Sequence, residues 1–328
     1  MWAIQQQHGV ETSRLMRTEL ERPEPRYGEL VVKVYAAGVN RVDLLQCSGR
    51  YPVPDGQSDI LGIEVAGEVA ALGAGVTGFS LGQRVFGVVD GGGYAQYCRI
   101  DKGMVLPMPD GWSFAVAAAT PEAGLTSDET LFTLGNLDAG QTVLIHAGAS
   151  GISTLMIQMA KTVGATVITT VGSADKASFV ESLGADHAVL YRLSNFAEAA
   201  LSLTGGRGVD VVVDFIGAPY LEANVAALKD GGTLVLAGLL GGDSAPLDLR
   251  KVVKRRVQIK GSSLRIRSAS EKHAVSQRFA TRWMPALDSQ RIKPVVYAQF
   301  PLDDAERALE TIGQNRNIGK IVLDVSHP

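Results

Sequence analysis

Apolar and polar positions change rhythm along this chain, and the changes divide it. From Met1 to about Pro121 the apolar residues fall in short alternating runs punctuated by glycine: GELVVKVYAAGV, IEVAGEVAALG, QRVFGVV and GGYAQYCRI. A period of two with frequent turn residues predicts strands and hairpins. Near residue 113 the spacing becomes helical in WSFAVAAAT. A regular series follows in which β-branched runs with few charges (TVLIHA, ATVITTV, HAVLY, VDVVVDF, GTLVLAG) alternate with helical segments such as TLMIQMAKTVG, DKASFVESLG and YLEANVAALKDG. Strands apolar on both faces, alternating with helices, predict an α/β unit with a doubly wound parallel sheet. From about Ser268 the pattern is mixed and ends in the helix-like DDAERALETIG and the strand-like GKIVLDV.

Composition narrows the class. A chain of 328 residues that is 46% hydrophobic has material for two cores. The 31 basic and 34 acidic residues nearly cancel, so no polyanion-binding balance is present. Two cysteines, Cys47 and Cys98, cannot build a disulfide framework or a four-thiolate zinc cluster. The N-terminus has no basic head before an apolar core, and no apolar stretch reaches the ~20 residues of a membrane span. A soluble cytoplasmic protein is expected.

The stretch HAGASGIS, residues 146–153, joins the first strand of the series to its first helix. Such a turn presents helix N-terminal amides to an anion, commonly the pyrophosphate of a dinucleotide. Laid over the glycine fingerprint, Gly148 fits, whereas Ser150 and Ser153 take the other two glycine places with Gly151 between them. The hexapeptide alone suits an ordinary strand-turn-helix equally well; the strand-helix units that follow favour the dinucleotide. Ser153 is expected to shift the helix slightly, and Ser150 to offer its hydroxyl to the site. The second strand of the series ends in Gly172 and Ser173 with no carboxylate at its tip; Asp175 suits a helix N-cap, and Lys176, Tyr191 and Arg192 stand nearby. A hydroxyl, a cation and an aromatic face suit the extra phosphate of NADPH better than the free ribose of NAD. Solvated charges and a rim tyrosine are the alternative.

The segments AAGVNRVDLLQCSGRYPVPDGQSDILGIEVAGEV, GGGYAQYCRID, ATPEAGLTS, HAGASGIS, VGSADK, VVDFIG, LAGLLGG and NIGKIVL together resemble the zinc-independent quinone oxidoreductases of the medium-chain dehydrogenase/reductase superfamily, most of all the branch with the p53-inducible quinone oxidoreductase. The resemblance implies a GroES-like β-barrel catalytic domain from 1–121 and 263–328, a Rossmann NADPH-binding domain at 122–262, and an active-site cleft where they meet. It also implies a homodimer joined at the Rossmann sheet edge, through VQIKGSSL. Cofactor contacts are implied for Thr126, Gly148, Ala149, Ser150, Gly151, Ile152, Gly172, Ser173, Lys176, Tyr191, Gly217, Leu239 and Asn317.

Zinc-dependent alcohol dehydrogenases of the same superfamily carry a cysteine and a histidine ligand where this chain has Asn40 and Ile63. Isoleucine cannot ligate zinc, so no metal is expected and the acceptor must need little electrophilic help. A small quinone fits. Tyr51 and Asn40, with Ser150, are the candidate donors; Tyr51 packing on Pro52 and Pro54, and Asn40 forming a turn, are the bland alternatives. His146 reads as a packed strand-end residue and Glu64 as a structural carboxylate. DETLF after LTS, and Gly124, depart from the family pattern and suggest a wider, more polar pocket.

Two other functions are compatible: NADPH-dependent reduction of an enone or alkenal double bond, and a non-catalytic NADPH sensor or nucleic-acid-binding protein. The basic run RKVVKRRVQIK at 250–260 is interleaved with valines and has no aromatic stacking partner, so nucleic-acid binding is not expected.

Overall fold

A computed structural model describes residues 1–7, 14–51, 53 and 56–326. It divides into two compact units, Met1–Glu122 with Ser268–Pro328, and Ala123–Arg267.

The first unit is built on β1 (Trp2–Gln7), β2 (Arg14–Glu19), β3 (Glu29–Val39), β4 (Glu64–Leu72), β5 (Arg84–Val88), β6 (Tyr97–Asp101) and β7 (Val105–Pro107). β1 and β2 form an antiparallel pair. The long β3 pairs with both β4 and β6, and its Leu30, Val31, Val32, Val34, Ala36 and Ala37 are at most 2% exposed.

The second unit contains β8 (Thr142–Ile145), β9 (Thr166–Val171), β10 (His187–Leu190), β11 (Val209–Asp214), β12 (Leu228–Leu236) and β13 (Gln258–Gly261). Its sheet runs β10-β9-β8-β11-β12-β13 and every pairing is parallel. Numbered within the unit, that is the doubly wound order 3-2-1-4-5-6, which reverses between β8 and β11 and opens a crevice at their carboxyl ends. Val143, Leu144, Ile145, Val211, Val212 and Val213 are at most 1% exposed, as strands covered on both faces must be. Ser262–Arg267 stay with this unit: the Ser262 amide bonds to Leu236 O at 2.9 Å and the Arg267 guanidinium pairs with Glu129.

The chain then returns to the first unit, where β14 (Val296–Pro301) and β15 (Lys320–Asp324) complete the sheet β14-β15-β3-β4-β5-β7. The barrel thus takes strands from both ends of the chain. A GroES-like unit and a Rossmann unit are both present.

Candidate functional site

In the second unit β8 ends in His146, and the chain turns through Ala147 (φ 54°) and Gly148 into the helix Gly151–Thr162. A Cβ on Gly148 would lie 2.1 Å from Thr169 Oγ1, so this close approach to β9 requires glycine. Ser150 is the N-cap: its Oγ accepts from the Ser153 amide at 3.1 Å and donates to Ser153 Oγ at 3.0 Å. Ser153 Oγ donates onward to the His146 carbonyl at 3.1 Å. The serine in the third glycine place therefore ties helix to strand, and the Ser150 proton is directed along this cap. In the first helical turn, the amides of Gly151 and Ile152 have no intrahelical acceptor and carry the positive end of the macrodipole. Ala149 is buried beside them.

At the next strand tip, Gly172 and Ser173 follow β9. Ser173 caps the helix Ala174–Ser182, accepting from the Lys176 amide at 3.4 Å. Tyr191, just after β10, donates its amide to Val171 O at 3.3 Å, and its hydroxyl would be 3.2 Å from a Cβ on Gly172. The phenol is 41% exposed. Asp175 lies in the first turn of the helix, exposed. This tip thus carries one phenol, one serine hydroxyl and Lys176, with no carboxylate at the strand end.

Beyond β11, Asp214 accepts from the amides of Ile216 at 2.6 Å and Gly217 at 3.1 Å. Gly217 has φ 85°, and a Cβ there would meet Gly242 O at 2.6 Å and Leu239 Cδ2 at 2.9 Å. The structure therefore brings Gly217 and Leu239 together. Thr126, half-buried, lies in the helix Pro121–Ser127 and accepts on its carbonyl from Thr130 Oγ1 at 2.7 Å. Asp128 and Glu129 follow in a π-helical turn, Asp128–Leu134, and both are buried.

Residues that sequence reasoning missed brace this crevice. Asn224 donates to Asp214 at 2.9 Å and bonds the ring of His146 at 2.7 Å, while Thr170 Oγ1 reaches the other ring nitrogen at 3.0 Å. Burial pushes the His146 pKa down to about 4 and that of Asp214 up to about 6. The edges of Phe196 and Tyr220 close over the imidazole.

The first unit holds a different cluster. Asn40 begins the helix Arg41–Cys47, and its backbone N–H donates to Asp43 Oδ2 at 2.7 Å. The Asn40 side chain donates to Glu64 Oε1 at 2.8 Å and accepts from Lys320 Nζ at 2.7 Å. Lys320 Nζ also pairs with Glu64 and donates to Val39 O at 3.2 Å. Glu64 is 0% exposed, and its second oxygen takes the Glu122 amide at 2.9 Å. A Cβ on Gly38 would lie 2.2 Å from Glu64 Oε1, so glycine makes room for the carboxylate. Asp43 also accepts from Tyr94 Oη at 2.8 Å and the Gly62 amide at 3.3 Å. Burial outweighs these donors and raises its pKa to about 6. Lys320 stands in NIGKIVL, where a lysine inside an apolar strand is a signal for a buried partner. Asn317 donates to Gly319 O at 2.6 Å, within its own loop. Tyr51 is half-buried after the helix Arg41–Cys47; Pro52 and Pro54 lie outside the described residues. Ile63 sits between Gly62 and Glu64. Among the described residues no group of three or more His, Cys, Asp or Glu is placed to hold a metal.

A GroES-like unit and a Rossmann unit with a serine-capped turn after its first strand define the architecture of a nucleotide-dependent dehydrogenase or reductase. The chain belongs to the medium-chain dehydrogenase/reductase superfamily: the alcohol dehydrogenase GroES-like domain matches residues 26–110 and the zinc-binding dehydrogenase domain matches residues 151–280. A mycobacterial protein solved in complex with NADPH is 33% identical, with a TM-score of 0.88 over 98% of this chain and 99% of that one. The Escherichia coli quinone oxidoreductase complexed with NADPH is 29% identical, with a TM-score of 0.90 over 99% of this chain and 100% of that one. The CurK enoyl reductase is 25% identical, with a TM-score of 0.86 and 98% of each chain covered. The chain spans 14% of the length of a mycocerosic acid synthase-like polyketide synthase of Mycobacterium tuberculosis, with 30% identity over 309 residues. No helix among the described residues is long and apolar enough to cross a membrane.

Proposed function

We propose that the chain is an NADPH:quinone oxidoreductase that works without a metal and falls in the branch of the p53-inducible enzyme. The observation that carries this reading is the Asn40–Glu64–Lys320 cluster. Where zinc-dependent relatives place a ligating cysteine, this chain has an amide already committed to a carboxylate and an ammonium; the histidine place is taken by Ile63. An acceptor that delocalises incoming charge onto its own oxygen, as a quinone does, suits such a site.

Bound NADPH supplies a hydride from C4 of its nicotinamide. Gly148, Ala149, Ser150, Gly151 and Ile152 are proposed to hold the pyrophosphate, and Gly172, Ser173, Lys176 and Tyr191 the adenosine phosphate. Thr126, Gly217, Leu239 and Asn317 are proposed to complete the cofactor contacts. The Tyr51 hydroxyl is assigned to orient the acceptor; Asn40 and Ser150, first expected as secondary donors, have their protons committed to Glu64 and Ser153 and are assigned a positioning part instead. The relatives complexed with NADPH and the donors at the β9 tip support NADPH as the cofactor.

Reduction of an enone double bond is the second reading, favoured by the likeness to the CurK enoyl reductase. It would use the same fold and cofactor. A homodimer through β13 is supported by the position of that strand at the sheet edge and by the 39% exposure of Ile259. In the basic run Lys251 pairs with Glu222, and Arg255 with Asp230 and the carbonyls of Val225 and Ala226, which supports a structural use of those charges over nucleic-acid binding. A cytoplasmic location is proposed with the rest. Stopped-flow oxidation of NADPH against a panel of quinones and enones tests the assignment. Turnover of quinones is expected; NADPH binding without oxidation by any quinone would overturn it.

A further inference from the structure

We propose that His146 is a positioning residue of the nucleotide site: one uncharged imidazole that holds, by its ring and by its own carbonyl, the two turns flanking the crevice at β8 and β11. The inference rests on the NADPH reading above.

Hydrogen-bond directions and burial together define the state of the ring. Asn224 Nδ2 donates to Asp214 Oδ2 at 2.9 Å, so Asn224 Oδ1 faces the imidazole as an acceptor. The Nε2 of His146, 2.7 Å from that oxygen, must carry the proton. Burial keeps the ring neutral, so Nδ1 is the acceptor for Thr170 Oγ1 at 3.0 Å. Asp214, held in this way, uses its oxygens to fix the amides of Ile216 and Gly217. The ring therefore braces the turn after β11 through two intervening side chains. On its other side the His146 carbonyl receives the Ser150–Ser153 hydroxyl chain at 3.1 Å, which anchors the cap of the helix behind the phosphate turn. One residue thus joins both turns, at the point where the strand order reverses. The imidazole is 0% exposed and packs in T-shaped contact with Phe196 and Tyr220, ring centroids 4.6 and 4.8 Å apart.

Titration of NADPH fluorescence measures the consequence. His146→Leu removes both ring bonds and leaves Asn224 and Thr170 unsatisfied, so the Kd for NADPH should rise by ~10-fold or more. At saturating NADPH, kcat should stay within about 2-fold, because the ring touches no reacting atom. His146→Gln, which can still donate to Asn224, should recover Kd to within about 3-fold of wild type. Should the leucine variant not fold, Asn224→Ser breaks the same bridge and carries the same expectation. A readout on the cofactor-free wild type is the imidazole nitrogen NMR spectrum: a neutral Nε2–H ring, unchanged from pH 7 to about 5.5, is expected. An Nδ1–H tautomer, a ring that titrates in the ordinary histidine range, or an unchanged Kd in a folded leucine variant would overturn the inference. Failure of the wild type itself to bind NADPH would overturn the cofactor reading and this inference with it; normal wild-type binding with an indifferent variant would overturn this inference alone.

Discussion

Two buried polar clusters, one in each unit, are held by opposite means. In the barrel, Lys320, Glu64 and Asn40 meet with an ion pair at the centre, both charged partners at most 4% exposed. In the Rossmann unit, His146, Asn224 and Thr170 form a chain that contains no ion pair, and burial holds the imidazole neutral. A buried charge is tolerable when paired and hydrogen-bonded, whereas an imidazole can give up its proton. The difference shows where each unit is fragile. Loss of one member in the barrel strands a charge; loss of one in the Rossmann unit strands a dipole.

The largest effect should therefore come from Lys320→Met. It leaves Glu64 buried without its cation and should destabilise the protein by ~3–5 kcal/mol, read by urea unfolding. Adding Glu64→Gln should restore much of the loss, because the stranded charge is then gone. A single variant within about 1 kcal/mol of wild type would break the contrast between the units, since that is the range of an exposed pair.

Acid sharpens the same contrast. His146, lowered from 6.5 to about 4, contributes stability that is present above pH 6.5 and lost as pH falls through 4. Asp43 and Asp214, raised from 3.8 to about 6, act in the opposite sense: their contribution is full below 3.8 and lost as pH rises through 6. The three partly cancel between pH 6 and 4. His146→Gln removes one side of that balance, so its stability relative to wild type should improve by ~3 kcal/mol between pH 6.5 and 4. Parallel pH dependences for variant and wild type would show that the buried ring does not resist protonation.

Within the barrel, Asn40 is committed to Glu64 and Lys320, which leaves the loop phenol of Tyr51 as the proposed donor to the acceptor. Tyr51→Phe should lower kcat/KM with quinone by roughly 10- to 100-fold. An unaffected kcat/KM would remove the orienting role from Tyr51.

The parallel sheet was legible because each of its central strands is a continuous apolar run and each carries its own local turn signal. The strand-to-helix turn was legible for the same reason: Gly148 through Ser153 act within a single turn. The two networks were not. Lys320 and Asn40 are 280 positions apart, and His146 and Asn224 are 78 apart; nothing in local spacing links such pairs, which exist only through the fold. Ser153 was read by volume, as an intrusion where glycine is expected. Its hydroxyl instead finds the His146 carbonyl, and that depends on the direction of a backbone oxygen. The edge strand at Gln258–Gly261 was found through family likeness, because QIKG is too short and mixed to announce itself.

The contrast between a charged and a neutral interior has a counterpart at the surface of the Rossmann unit, where cofactor choice is proposed to lie. If the interior bracket holds only the shared turns, discrimination between NADPH and NADH falls to the rim: Gly172, Ser173, Lys176 and the exposed Tyr191. NADPH should then bind about 10-fold or more tightly than NADH, a difference of ~1.4 kcal/mol. Lys176→Ala should erode most of that preference by weakening NADPH alone, because the lysine would face a phosphate that NADH lacks. His146→Leu should weaken both cofactors alike, because the bracket lies under the turns they share. Fluorescence titrations of the two cofactors against the two variants separate rim from interior. Equal affinities in the wild type would remove the basis for the rim assignment, and a His146→Leu effect confined to NADPH would show that the rim and the bracket are not independent.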